Sequence, residues 1–230
     1  MCSSDLEQHI MQNSKKILIL GASGLVGSHL LNHSLQDESI SEVFVLVRKP
    51  LEIDHPKLIQ VITDFKDLAQ LPPTINALYC CIGTTRKKTP DLTEYKAIDY
   101  GITMKVAEYY RAKGTSQIHL ISSVGAISDS SNFYLRIKGE IEEGIKSLRF
   151  PSCLIYRPSM LIGKRKESRP FERIGQILCP IFDFFTFNGK YHSVLASELA
   201  LSMLENGRDS EFGTVILHYP DFKTNLSAVN

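Results

Sequence analysis

Tyr134 and Lys138 close the short run Tyr134-Leu135-Arg136-Ile137-Lys138, and a serine pair, Ser122-Ser123, precedes it. If Asn132 to Leu148 is helical, Tyr134 and Lys138 stand one turn apart on one face. An ammonium there favours the phenolate, which makes the phenol a better proton donor and acceptor near neutrality. A serine hydroxyl carried on a strand end could then hold a substrate carbonyl oxygen while the tyrosine protonates it. A surface helix with one Tyr and one Lys is the alternative. The choice between them rests on the elements that would have to position these groups.

Those elements read as alternating strands and helices. Lys15 to Leu20 (KKILIL) is a buried parallel strand that runs straight into Gly21-Ala22-Ser23-Gly24-Leu25-Val26-Gly27, followed by a helix over Leu25 to Leu35. A G-x-x-G-x-x-G run between strand and helix permits a tight turn, lets backbone approach a pyrophosphate and lets helix pack on strand. The helix N-terminus offers free N–H groups and a positive dipole end to phosphate. A glycine-rich turn without a ligand is the other reading.

Glu42 to Val47 is the second strand and ends on Arg48-Lys49, where an NAD-specific site would place an acid for the ribose hydroxyls. Two cations suit a 2′-phosphate instead, so NADP(H) is the expected cofactor. Leu58 to Thr63, the third strand, delivers Asp64-Phe65. Asp64 could accept from an adenine amino group with Phe65 beside the ring, or it could cap a helix over Phe65 to Leu71. Ile75 to Ile82, the fourth strand, closes at Gly83, in the crevice where doubly wound sheets bind ligands.

Leu92 to Lys113 has helical periodicity and Gly114 caps it. Gln117 to Ser122 is the fifth strand and Ser152 to Tyr156 the sixth, ending at Arg157-Pro158. Ser193 to Glu205 is a last helix and Thr214 to His218 a last strand. This pattern predicts an α/β doubly wound parallel sheet of Rossmann type, strand order 3-2-1-4-5-6-7. The expected organisation is a flexible lead over 1–14, a single dinucleotide-binding domain over 15–220 with a substrate region at about 161–191, and a tail over 221–230. Phe171, Ile174, Ile177, Leu178, Ile181, Phe182 and Phe185 form one apolar stripe interrupted by Pro180, which reads as a lid over an apolar ligand or as fixed packing.

With 230 residues, 43% hydrophobic and 22% charged, the chain can bury a sizeable core, and a net charge of +1 gives no electrostatic case for nucleic acid or an anionic membrane. Its five cysteines show no C-x-x-C pair and no zinc-ligand spacing, so free thiols and no metal are expected. A polar N-terminus without signal-peptide character and an apolar patch too short to span a bilayer point to the cytoplasm.

The order of these signals resembles that of the short-chain dehydrogenase/reductases: the glycine run, Asp64 after the third strand, Gly83 after the fourth, Ser-Ser after the fifth, Y-x-x-x-K, then Arg157-Pro158. Cys81-Ile82-Gly83-Thr84-Thr85-Arg86, Ser130-Ser131-Asn132-Phe133-Tyr134, Lys138-Gly139-Glu140 and Glu167-Ser168-Arg169-Pro170 resemble the atypical, oxidoreductase-like HIV-Tat-interacting protein group. The resemblance implies Tyr134 as general acid/base, Lys138 on the nicotinamide ribose, and Pro158 beside the carboxamide. It implies Ser123 rather than Ser122 on the carbonyl, because the second serine of S-S-x-G is followed by Val124-Gly125. The implied cofactor contacts are Gly21, Ser23, Gly24, Leu25, Val26, Arg48, Lys49, Asp64, Phe65, Cys81, Ile82 and Gly83, together with Tyr134, Lys138 and Pro158. Asp99 departs from the pattern, since many relatives carry an asparagine there that helps hold a relay water.

Two functions fit. One is an NADPH-dependent reductase acting on a small-molecule carbonyl or the matching alcohol. The other is an NADP(H)-sensing regulatory protein that works through a protein partner; the chain could also form a homodimer. An activated phenol is needed by the first and superfluous to the second.

Overall fold

The computed structural model describes residues 14–84, 89–163, 192–208 and 212–222. Among these residues seven strands form one parallel sheet: β1 (Lys15–Leu20), β2 (Ile40–Val47), β3 (Leu58–Ile62), β4 (Ala77–Cys80), β5 (Gln117–Ile121), β6 (Ser152–Tyr156) and β9 (Gly213–Leu217). Their order is β3-β2-β1-β4-β5-β6-β9, the doubly wound arrangement predicted from the strand–helix alternation. The central strands are buried along both faces, which is why they read as unbroken apolar runs. The edge strands β3 and β9 leave Ile59, Ile62 and Ile216 partly exposed.

Side-chain alternation on β1 divides the interior. Ile17 and Ile19 face α1 (Leu25–Gln36) and α5 (Ala196–Asn206), packing with Val26, Leu30, Leu199 and Met203. Leu18 and Leu20 face the opposite layer, α3 (Thr103–Ala112) and α4 (Phe133–Ser147), where Val106, Tyr110, Ile137, Ile141 and Ile145 close the second core.

The predicted helix over 92–113 is one run with an irregular middle. A short α2 (Leu92–Lys96) and α3 flank a π-helical turn over Ala97–Ile102, and Asp99 lies in that turn. Such one-turn widenings often occur at functional sites. The strand that ends at Gly83 is shorter than predicted, Ala77–Cys80 rather than Ile75 to Ile82, because the sheet pairs only that stretch of it with β1 and β5. No helix forms over 65–71: the Asp64 carboxylate accepts the Lys66 N–H at 2.9 Å in a local turn, which corrects the helix-cap reading.

Two short strands, β7 (Leu161–Ile162) and β8 (Val194–Leu195), form a second, parallel pair that periodicity could not reveal, since two residues carry no period. The stripe from Phe171 to Phe187, and most of the region expected to bind substrate, lie outside the described residues.

Candidate active site

The dinucleotide end is built from backbone. Gly21 follows β1 at φ +92°, and its amide neighbour Gly24 returns a hydrogen bond to the Gly21 carbonyl at 2.9 Å. A Cβ on Gly21 would stand 2.7 Å from Cys81 C and Ile82 N, so the turn lies directly on the backbone leaving β4. A Cβ on Gly27 would overlap the Gly21 carbonyl, so helix and turn meet only through hydrogen. Gly24 caps α1 without a side-chain bond, and no acid occupies the first turn of α1. The N–H groups at Leu25 and Val26 therefore face no competing internal anion, a cradle that fits a pyrophosphate. Ser23 is exposed at the tip of the turn.

Arg48 and Lys49 are exposed at the C-terminal end of β2, on the same sheet edge. Beyond β3, Phe65 takes φ +65°, an uncommon conformation for a non-glycine residue, and its side chain is buried in the second core. Lys105 on α3 donates to the carbonyls of Phe65 and Lys66 at 2.8 and 2.6 Å and so pins this turn, leaving the Asp64 carboxylate in solvent. The hydrogen bond from the Lys66 N–H, with the Lys66 ammonium beside it, lowers the Asp64 carboxyl from its ordinary value although desolvation opposes the shift.

The other end of the site is built from side chains. Asn132 accepts from the N–H groups of Tyr134 and Leu135 at 2.9 and 3.3 Å, which starts α4 at the residue before Tyr134. Tyr134 is 40% exposed, whereas Lys138, one turn later, is buried with a side chain 8% exposed. Gly139 lets this happen: a Cβ there would overlap the backbone at Ile127 and Ser128, so α4 lies flush against the loop after β5. The Lys138 ammonium stands 3.6 Å from Asp99 Oδ2, and Asp99 Oδ1 accepts the Thr84 N–H at 2.7 Å. Burial pushes the Asp99 carboxyl upward, and the ammonium opposes that shift in part. Both polar groups flank Gly83, within 4 Å of where its Cβ would be.

The two serines have different surroundings. Ser122 Oγ donates to the buried carboxylate of Glu142 at 2.5 Å. Among the described residues, Ser123 Oγ bonds only the adjacent Val124 carbonyl, at 3.2 Å. Arg157, at the end of β6, completes the cluster: its Nε and Nη2 donate to the two Glu142 oxygens at 2.8 and 2.6 Å. Pro158 is buried beside it, and its carbonyl accepts the Val124 N–H at 3.0 Å. Sequence reasoning passed over Glu142, although its position one turn beyond Lys138 on the same face was available as a signal.

A buried histidine lies in the sheet, away from this cluster. His119 stacks on Tyr79 with centroids 4.3 Å apart and bonds the Tyr156 hydroxyl at 3.0 Å. Burial pushes its pKa down to about 3, so it is neutral and packs the core rather than moving protons.

Residues 17–151 match the NAD dependent epimerase/dehydratase family. The chain belongs to that family. Among curated proteins it is 36% identical over 172 residues to Protein HTATIP2 of Rattus norvegicus, covering 72% of this chain and 70% of that protein. It is 34% identical over 188 residues to Protein fmp52, mitochondrial, of Aspergillus niger, covering 78% of each. Among solved structures it superposes on a UDP-N-acetylglucosamine 4-epimerase from Methanobrevibacter ruminantium with a TM-score of 0.69 at 14% identity, over 90% of this chain and 77% of that one. The Helicobacter pylori ADP-L-glycero-D-manno-heptose-6-epimerase gives 0.67 at 15% identity, over 94% and 81%. At such identities these two likenesses speak for the fold.

The family assignment makes this an NAD(P)-dependent enzyme of the short-chain dehydrogenase/reductase type, and the resemblance to the Tat-interacting group holds through the rat relative. It also corrects one expectation. The cytoplasmic location does not stand, because fungal relatives across several Aspergillus species are named mitochondrial proteins. Scattered thiols argue against an oxidising compartment but do not separate one reducing compartment from another. No helix among the described residues is long and apolar enough to cross a membrane.

Proposed function

We propose that this protein is an NADPH-dependent reductase of a carbonyl on an apolar small molecule, with Tyr134 as the proton donor. The observation that carries the reading is the buried Lys138 one turn from the accessible Tyr134, at the sheet edge that also holds Gly83 and the glycine turn. A lysine is costly to bury unless a ligand and a counter-charge use it, and Asp99 supplies the counter-charge.

In this reading the bound nicotinamide supplies the hydride to the carbonyl carbon. Ser123 holds the carbonyl oxygen, since its hydroxyl is bonded only locally, and the Tyr134 hydroxyl gives that oxygen its proton. Lys138 orients the nicotinamide ribose, and its charge supports the phenolate left behind. Pro158 flanks the carboxamide. Arg48 and Lys49 bind the 2′-phosphate, which makes NADP(H) the preferred cofactor. Asp64 meets the adenine amino group. Cys81, Ile82 and Gly83 carry the backbone that the cofactor passes. The names of the fungal relatives support a mitochondrial setting for the chain.

Steady NADPH oxidation with 4-nitrobenzaldehyde as a probe carbonyl tests the reading. Tyr134→Phe removes the proton donor and little packing, so turnover should fall by at least about 100-fold while NADPH binding stays intact. A Phe variant that keeps most of the rate would remove Tyr134 from the role. NADPH binding with no turnover of any aldehyde or ketone would favour the regulatory sensor.

A further inference from the structure

Glu142 has no assigned part in the reaction, yet its bonds join the elements that carry Ser123, Pro158, Tyr134 and Lys138. Its side chain is 2% exposed, and it lies on α4 one turn past Lys138 and two turns past Tyr134. Through Ser122 it holds the first residue after β5, immediately before Ser123. Through Arg157 it holds the end of β6, immediately before Pro158, and the same guanidinium reaches the Ala126 carbonyl at 3.2 Å.

The carboxylate is saturated by this arrangement. Oε1 accepts from Ser122 and Arg157, and Oε2 accepts from Arg157 with Lys146 at 3.5 Å on the outer side. The Glu142 contact raises Arg157 further above its already high value, so the guanidinium remains charged throughout the working range. A planar bidentate pair of this kind fixes orientation as well as distance.

We infer that the Glu142–Arg157 pair, with Ser122 as its third member, is the positioning device that sets Ser123 against Tyr134 and Lys138. The inference rests on the proposed role of Ser123. The first serine of the pair is spent on structure so that the second is presented to substrate. Three chain segments that are distant in sequence thereby share one rigid joint, and the helix that bears Tyr134 and Lys138 cannot shift without breaking it. Small misplacements at such a joint are expensive in rate, because hydroxyl, phenol and carbonyl must stay in near-attack geometry.

The test is a double-mutant cycle in the full chain with NADPH and 4-nitrobenzaldehyde as the probe. Glu142→Gln should lower kcat roughly 10- to 100-fold, with NADPH Kd changed by less than about twofold. In a Ser123→Ala background the same substitution should cost less than about threefold, because the group it positions is gone. Ser122→Ala is the gentler arm and should show the same background dependence with a smaller loss, even if Glu142→Gln does not fold. Hydrogen exchange on the protein without cofactor gives a readout free of any carbonyl: amides over 122–127 should exchange faster in either variant, with 21–26 unchanged. Equal losses in both backgrounds, or unchanged exchange over 122–127, would overturn the positioning role while leaving Ser123 in place. If Ser123→Ala itself keeps full kcat, the role of Ser123 fails and the inference goes with it.

Discussion

The two ends of the cleft are made from different material. At the glycine turn, contact is backbone against backbone: Gly21 lies on Cys81 and Ile82, Gly27 lies on Gly21, and the first turn of the helix that follows carries no acid. At the tyrosine helix, four charged side chains do the holding: Asp99 with Lys138, and Glu142 with Arg157. A phosphate is bound by many weak N–H groups and needs close approach, so the first end must exclude atoms. Proton transfer needs specific groups at fixed distances, so the second end must anchor them and compensate their burial. At Gly139 the second end borrows the device of the first.

That contrast can be broken by substitutions matched to each end. Glu142→Leu should be the most costly, because it leaves Arg157 without its carboxylate; removing one partner of a buried pair costs about 3–5 kcal/mol, and the 21% exposure of Arg157 places the expected loss at the lower end. A urea or thermal unfolding series measures it, and a loss under about 1 kcal/mol would show the pair to be dispensable for stability. Gly27→Ala comes next. One methyl forced into the Gly21 carbonyl should destabilise by about 1–3 kcal/mol and abolish NADPH binding in a fluorescence titration. Unchanged affinity would mean that the turn has room to spare.

Arg48→Asp is a smaller and more selective change. It removes a partner from the 2′-phosphate and adds a repelling charge, so NADPH affinity should fall by about tenfold while NADH affinity holds or rises. Equal wild-type affinity for both cofactors would already refute the NADP(H) preference.

The last comparison concerns Asp99, where burial raises the carboxyl above its unfolded value. A group raised in this way favours the protonated folded state. Its contribution is therefore fully present below the ordinary aspartate range and is lost as pH rises through the folded value. Relative to Asp99→Asn, the wild type should lose stability as pH climbs out of the ordinary aspartate range, and the difference should level off above the folded value. Unfolding midpoints collected across that range check the sign; the opposite slope would mean that Lys138 outweighs burial.

Much of the architecture was legible in the residues. Short runs rich in β-branched residues and leucine, such as KKILIL and EVFVLV, read as strands covered on both faces, and their alternation with helices leaves few topologies. The glycine turn, the placement of Arg48 and Lys49 after β2, and the spacing of Tyr134 and Lys138 are local, so their geometry follows from adjacent residues alone. The preference for Ser123 over Ser122 is what the resemblance to an S-S-x-G pattern implies, and the proposed reading keeps it as a role for the Ser123→Ala variant to test; Ser122 itself bonds Glu142.

What stayed hidden was non-local or lacked a period. The π-helical turn looks like ordinary helix in a pattern of apolar residues, and its one extra residue matters only because it brings Asp99 to Lys138 from 39 positions away. The two-residue strands β7 and β8 pair across an excursion of more than thirty residues, and no local preference specifies that meeting. Glu142 shares the face of Lys138 in sequence, but its role needs Ser122 and Arg157, which arrive from the ends of β5 and β6. Sequence determined which elements form and which residues could do chemistry, because backbone preference and apolar periodicity act over a few neighbours. Only the tertiary structure decided which charges are buried together, because that cost and its compensation exist only once distant segments have excluded water between them.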